Sequence, residues 1–221
     1  ETYVERTAES FTPARPLKLL WVGRFDKQKR IDRLADVLES AALRTLPIEA
    51  HIFGEPVIGD VPDLDVQLER LRAAGATIHG PFRGGFQAIS PDQFDALIVT
   101  SDWEGVPNIL LEAMSSGMPV ITPAVGGIVE LVDDRYGYLV EESAAVASYV
   151  DELARVVEDY PRALDRARAA RELVEREYSP EGLQNFLESL PGYLSPPGDA
   201  PAMSGFHWYA DDAARSLLAA G

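Results

Sequence analysis

Four charged side chains in two short stretches are the candidates for chemistry: Arg24 and Lys29 in "GRFDKQK", Glu104 and Glu112 in "SDWEGVPNILLEAMSSGMPV". Arginine offers a planar fork for phosphate oxygens and lysine a mobile point charge, so the first stretch suits a diphosphate. In the second, Pro107 suits the first position of a helix, where an N–H would have no partner anyway. Gly105 lets a ligand approach the backbone closely. The amides near Val106, Asn108 and Ile109 then face an unobstructed helix N-terminus, whose positive end attracts an anion. Glu112 lies five residues into that helix, roughly 7 Å further along its axis. A phosphate would repel it, but the two vicinal hydroxyls of a ribose would not. Glu104, before the helix, faces the other side of the anion and suits the hydroxyls of a second sugar. The set describes sugar, diphosphate and ribose, which is a sugar nucleotide. Taken singly, each group has an ordinary alternative: a solvated loop that also holds Lys27 and Arg30, a helix-start acid at Glu104, a surface acid at Glu112.

Such residues need a scaffold that brings distant loops to one edge. "LKLLWVG" (17–23) is a continuous apolar run closed by glycine, which predicts a strand covered on both faces. Further strands are predicted over 48–55, 77–80, 95–101, 118–123 and 136–142. Helical spacing marks 31–43 and 63–75, and helices over 107–117 and 126–132 separate the later strands. This alternation predicts an α/β fold, a doubly wound parallel sheet of about six strands with C-terminal helices, Rossmann-like in plan. Ligands of such sheets bind at the carboxyl ends of the strands, where each candidate falls. After residue 143 the chain is helical over 144–160, 161–178 and 179–190, the last opening on Ser179, Pro180 and Glu181. The expected organisation is a linker over 1–16, a nucleotide-sugar-binding domain over 17–190, and a linker with a short terminal helix over 191–221.

Composition narrows the classes. The 221 residues carry a formal charge of −16, a poor basis for wrapping nucleic acid, which needs clustered Lys and Arg. Zero cysteines exclude disulfides and thiolate metal sites, which fits a cytoplasmic protein. No run of 18 apolar residues is present to span a membrane. The start "ETYVERTAES" lacks Met and an apolar leader, and a fragment of a larger enzyme is expected. Neither G-x-G-x-x-G nor a Walker A lysine motif follows the first strand. His51, His79 and His207 have no ligand spacing, so no metal site is expected and packing or surface roles are assigned to the two in strands.

"WVGRFDKQKRIDRL", "IFGE", "HGPF", "SDWEGVPNILLEAMSSGMPVI" and "VGGIVELV" occur in the order seen in retaining glycosyltransferases of the GT-B fold. Over roughly residues 17 to 190 the chain resembles the C-terminal, donor-binding domain of the glycosyl transferases group 1 family (family 4). The resemblance implies that Arg24 and Lys29 bind the diphosphate and stabilise the leaving nucleotide. It implies that Glu112 holds the ribose and that Glu104 touches the donor sugar near its reacting carbon. Gly105, Val106 and Asn108 would present backbone donors to the phosphate around Pro107, with Gly23 beside them. Gly80 to Phe82 would border the base, and Gly126, Gly127 and Glu130 the far wall of the nucleotide pocket. It further implies a UDP- or GDP-sugar as substrate, no metal and no cofactor. The partner implied is an N-terminal domain that binds the acceptor, and peripheral membrane contact through the full-length enzyme is compatible with it. Arg30 stands where many relatives carry glycine, a tolerated loop variation. The competing readings are a non-catalytic module that keeps the fold, and another GT-B enzyme such as an epimerase or a phosphorylase.

Overall fold

Alternate residues of strand β1, Leu17–Val22, are buried on opposite sides of the sheet: Leu17, Leu19 and Trp21 join one core and Leu20 the other. A strand covered on both faces carries no polar alternation, which is why it reads as one apolar run. The computed structural model describes residues 15–56, 63–141 and 144–190. The expected linkers at the two ends, apart from Arg15 and Pro16, and the expected terminal helix lie outside the described residues. The chain divides into two compact units, one through Tyr178 and one from Ser179.

Five more strands follow: β2 (Ile48–Phe53), β3 (Thr77–Gly80), β4 (Ala96–Ile98), β5 (Val120–Pro123) and β6 (Tyr138–Val140). All pair in parallel, in the order β3-β2-β1-β4-β5-β6. The predicted doubly wound sheet is therefore the observed one. Strand order runs outward from β1 on one side and from β4 on the other, so the topological switch point lies between β1 and β4. The loops leaving those two strands flank a crevice where such sheets bind ligands. They are the loops that carry Arg24, Lys29 and Glu104.

Helices α1 (Ile31–Leu43), α2 (Leu64–Ala73) and α5 (Val146–Glu158) pack on one face, with Leu34, Leu71 and Leu153 in its core. Helices α3 (Asn108–Ser115) and α4 (Ile128–Leu131) cover the other, through Leu110, Met114 and Leu131. Helix α6 (Tyr160–Glu177) starts against the first core with Tyr160 and ends against the second with Leu173. In the second unit, α7 (Pro180–Ser189) has Pro180 in its first turn, and the Ser179 hydroxyl accepts the Gly182 N–H at 3.0 Å, as Ser-Pro-Glu predicts.

Several bounds differ from expectation, each for a local reason. The β4 strand ends at Ile98, although the Val99 N–H still donates to the Ile121 carbonyl at 2.9 Å, and the next residue, Thr100, turns its hydroxyl to the loop described below. β5 starts at Val120 rather than 118, since the Met118 N–H donates to the Ala113 carbonyl at 3.0 Å and closes α3. β6 starts at Tyr138, because Tyr136 and Gly137 N–H groups both bond the Asp133 carbonyl in a turn at 3.0 Å. Pro107 is not the first helical residue but the cap before it: its backbone is extended, and its carbonyl accepts from Leu110 at 2.9 Å.

Candidate functional site

The loop after β1 is built on close backbone approach. A Cβ on Gly54 would stand 1.9 Å from the Gly23 carbonyl oxygen, so only glycine fits there. The Gly23 N–H donates to Phe53 at 3.0 Å and the Phe25 N–H to Glu55 at 2.9 Å, extending the β1–β2 pairing past the strands. Phe25 is buried against Trp21, which anchors the segment. Arg24 projects from it with 60% of its side chain exposed, and its guanidinium pairs with Asp26 at 3.0 Å.

Lys29 does not project into open solvent. Its ammonium meets Glu104 at 2.6 Å, and the two side chains are only 17% and 7% exposed. Gln28 makes the same crossing, donating to the Trp103 carbonyl at 3.0 Å and to the second Glu104 oxygen at 3.4 Å. The Gln28 carbonyl accepts the Asp102 N–H at 2.9 Å. Thr100 completes the seam: its hydroxyl accepts the Trp21 indole N–H at 3.0 Å and donates to the Lys29 carbonyl at 2.8 Å. Residues some 75 positions apart in sequence thus form one rigid wall at the switch point.

Arg30 explains the glycine expected at its position. Its backbone is left-handed, with φ of 53°, a conformation costly for a side chain and free for glycine. The guanidinium compensates by reaching both Asp32, at 2.8 Å, and Asp102, at 2.9 Å. The hydrogen bond from Arg30 holds the Asp32 carboxyl below the usual carboxylate range. Burial works against the charge of Asp102, but hydrogen bonds from Arg33 and Arg30 outweigh it and lower that carboxyl too.

On the β4 side, Gly105 is open, with no atom within 4 Å of where a Cβ would stand. Val106 and Asn108 are exposed and Pro107 is buried, so the α3 N-terminus and its unpartnered first amides point outward beside Glu104. Glu112 is the fifth residue of α3 and lies on its exposed side, opposite buried Leu110, Ala113 and Met114. Gly126 and Gly127 form a third loop pressed against this one. The Gly127 N–H donates to the Glu104 carbonyl at 3.2 Å, and a Cβ on Gly126 would meet that oxygen at 1.8 Å. Their place is behind the Glu104–Gly105 backbone, which they fix. Glu130 stands on the exposed side of α4, and its charge is felt at Tyr178, where burial first, then Glu177 and Glu130, push the hydroxyl up.

Phe82 borders a cavity of about 250 Å³ shared with Gly23, Arg24, Gly54, Glu55 and Pro81. Its ring stands edge-on to Phe53 at 6.2 Å. The Gly80 carbonyl accepts the Gly54 N–H at 2.8 Å, which draws this loop to the one after β2. Among the described residues no group of three or more His, Asp or Glu side chains is arranged to hold a metal.

Sequence reading passed over Asp26, Gln28 and Thr100, which bind the site together. Only Asp26 had a local signal, a carboxylate three residues before an amide it accepts, at 2.9 Å. It also missed that His51 Nδ1 and His79 Nε2 lie 2.9 Å apart, with Glu49 3.0 Å from His51 Nε2.

A family profile described as "Glycosyl transferases group 1" matches residues 16–159. A glycosyltransferase of Escherichia coli K12 named for colanic acid biosynthesis is 28% identical over 199 residues, 80% of this chain and 45% of that protein. The chain thus spans less than half the length of that relative. Among solved structures, Anabaena HepE with UDP is similar with a TM-score of 0.68 at 21% identity, over 80% of this chain and 50% of that one. The Staphylococcus aureus TarM G117R mutant, bound to Fondaparinux, alpha-GlcNAc-glycerol and UDP, gives 0.67 at 22% over 85% of this chain and 37% of that one. At those identities the likeness is one of fold. With its GT-B-type sheet and a profile match over more than half its length, the chain belongs to the glycosyl transferases group 1 family.

Proposed function

We propose that the chain is the donor-binding domain of a metal-independent, retaining glycosyltransferase that uses a nucleoside-diphosphate sugar. The observation that carries this reading is the wall at the switch point: the Lys29 ammonium and the Glu104 carboxylate 2.6 Å apart, beside the outward-facing N-terminus of α3. UDP in the similar HepE and TarM structures supports the class of ligand.

Each group then has one task. A lysine has three N–H donors, and Glu104 takes one, which leaves donors for a phosphate. Arg24, mostly exposed beside the cavity under Phe82, takes the other phosphate, while the amides around Gly105 to Asn108 face the negative charge from the helix end. As the bond to the anomeric carbon breaks, charge collects on the departing diphosphate, and fixed cations and amides stabilise that state without reorganising. Glu112 binds the ribose hydroxyls. Glu104, oriented by Lys29 and Gln28, holds the donor sugar near its reacting carbon. Base contact falls to the cavity beside Phe82. The acceptor, a glycan or lipid sugar, belongs to an N-terminal domain, and the reaction is placed in the cytoplasm.

Calorimetric titration of the full chain with UDP, GDP and ADP tests the reading. Binding of one nucleotide, lost about tenfold or more in Glu112→Ala, is expected, because two hydrogen bonds to a charged acceptor disappear. Unchanged affinity in that variant removes Glu112 from the ribose site, and no binding of any nucleotide by the parent chain rejects the donor role.

A further inference from the structure

Asp26 is an odd residue to find beside a site for a diphosphate. Its side chain is 9% exposed, and a buried carboxylate is retained only where its oxygens are partnered. Both are. Oδ1 accepts the Lys29 backbone N–H at 2.9 Å, and Oδ2 meets the Arg24 guanidinium at 3.0 Å. One carboxylate therefore touches both residues that carry the expected phosphate cations.

We infer that Asp26 is a positioning residue that sets the aim of Arg24 and Lys29 together; the inference rests on the donor-site reading above. The geometry behind it is local. Phe25 is buried and bridged to Pro56, and the Asp26 N–H turns back to the Arg24 carbonyl at 3.1 Å, a three-residue turn that holds the Arg24 and Asp26 side chains close together. Arg24 is otherwise largely in solvent, and a long side chain free to rotate loses binding strength to ordering. Asp26 removes that freedom in advance. At the same time its bond to the Lys29 amide tightens the turn that delivers the Lys29 ammonium to Glu104. The carboxylate also repels an incoming phosphate. Because it is paired with Arg24, that repulsion is screened to about threefold in affinity or less, whereas losing the aim of a charged hydrogen bond costs on the order of tenfold. Positioning wins.

The two effects have opposite signs in one substitution. Asp26→Asn keeps an oxygen for the Lys29 amide and so keeps the turn, but it releases Arg24. Asp26→Ser keeps a shorter acceptor and serves if the first variant melts early. The full chain and each variant are titrated with UDP and GDP, and with uridine and guanosine. Expected is a loss on the order of tenfold for the diphosphate that the parent binds, with nucleoside affinity and melting temperature unchanged. The Arg24 Nη–H proton resonances are expected to be shifted in the parent, where Nη2 lies 3.0 Å from Asp26, and to collapse toward those of free arginine in the variant. Equal or tighter diphosphate binding in Asp26→Asn overturns the inference alone and makes Asp26 a turn-former with a repelling charge. Absence of diphosphate binding in the parent overturns the donor-site reading and the inference with it.

Discussion

Two polar chains cross the sheet's strands, and they are built from different chemistry. At the switch point, Lys29, Glu104 and Gln28 join the loops after β1 and β4 through an ammonium, a carboxylate and a neutral amide. At the β2–β3 edge, Glu49, His51 and His79 form a chain at 3.0 and 2.9 Å, and His79 stacks on Phe53 with ring centroids 4.3 Å apart. A hydrogen bond between two imidazoles needs one lone pair, so the pair accommodates one proton and is broken by a second. An ion pair stands where ligand chemistry is expected, and an imidazole pair that a second proton breaks stands at an edge.

Lys29→Ala is the strongest way to break this contrast. It leaves the Glu104 carboxylate buried without its cation, and a loss of about 3 kcal/mol in unfolding free energy is expected. Lys29→Met combined with Glu104→Gln should recover most of it in chemical denaturation. If the single variant is as stable as the parent, the pair is a solvated contact.

Gly126→Ala tests whether the third loop matters to that wall. Its Cβ would stand 1.8 Å from the Glu104 oxygen at a φ of +52°, so a cost of about 2 kcal/mol is expected, with nucleotide binding weakened in the same titration. An unaffected variant would mean that the Gly126 loop yields.

The β2–β3 edge is probed by pH. Burial, then the charge of His51, holds the His79 imidazole below its ordinary value of about 6.5. A base with a lowered folded value contributes stability that is whole above pH 6.5 and is lost as pH falls through the folded value. Of the charges beside the chain, Glu49 lies 3.0 Å from His51 Nε2, and Arg15, whose field reaches Glu49, is paired with Asp95 at 2.6 Å. Melting of the parent should fall by less than about 1 kcal/mol in that window, since His79 is exposed, and His79→Phe should flatten it while keeping the stack on Phe53. A persisting slope in the variant assigns the effect elsewhere.

Arg30→Gly should do least. Relief of a left-handed backbone, about 1 kcal/mol, offsets the loss of half-exposed ion pairs worth a similar amount. A loss above about 2 kcal/mol would show that the Asp102 bridge holds the wall.

The sheet, its parallel order and the edge that carries the site were legible because they rest on periodicity. β1 and β5 lack alternation, and Gly23 closes the first run. The bounds of α1, 31–43, coincide with its apolar spacing. Strand ends were not legible, since the ends of β5 and β6 are set by turn bonds to Ala113 and Asp133, and the Thr100 hydroxyl past β4 serves an indole N–H 79 residues away. Arg24, Lys29 and Glu104 stand out by type, but their tie to Asp26 and Gln28 depends on rotamers and on contacts across the switch point, which no local pattern encodes. The same holds for the Gly126 and Gly127 packing. His51 pairs with Thr77 and His79 falls at the irregularity between Ile78 and Gly80 on the neighbouring strand, so the pairing of β2 with β3 was needed before their spacing meant anything.

Trp21 is 3% exposed and bonded through Thr100 to the Lys29 carbonyl, whereas Trp103, next to Glu104, is 63% exposed. Trp208 lies outside the described residues. The molecule therefore carries two fluorophores on one wall, a shielded one that emits toward the blue and a wetted one that emits toward the red. Occupancy of the crevice and loosening of its seam would register at different wavelengths, with no label attached.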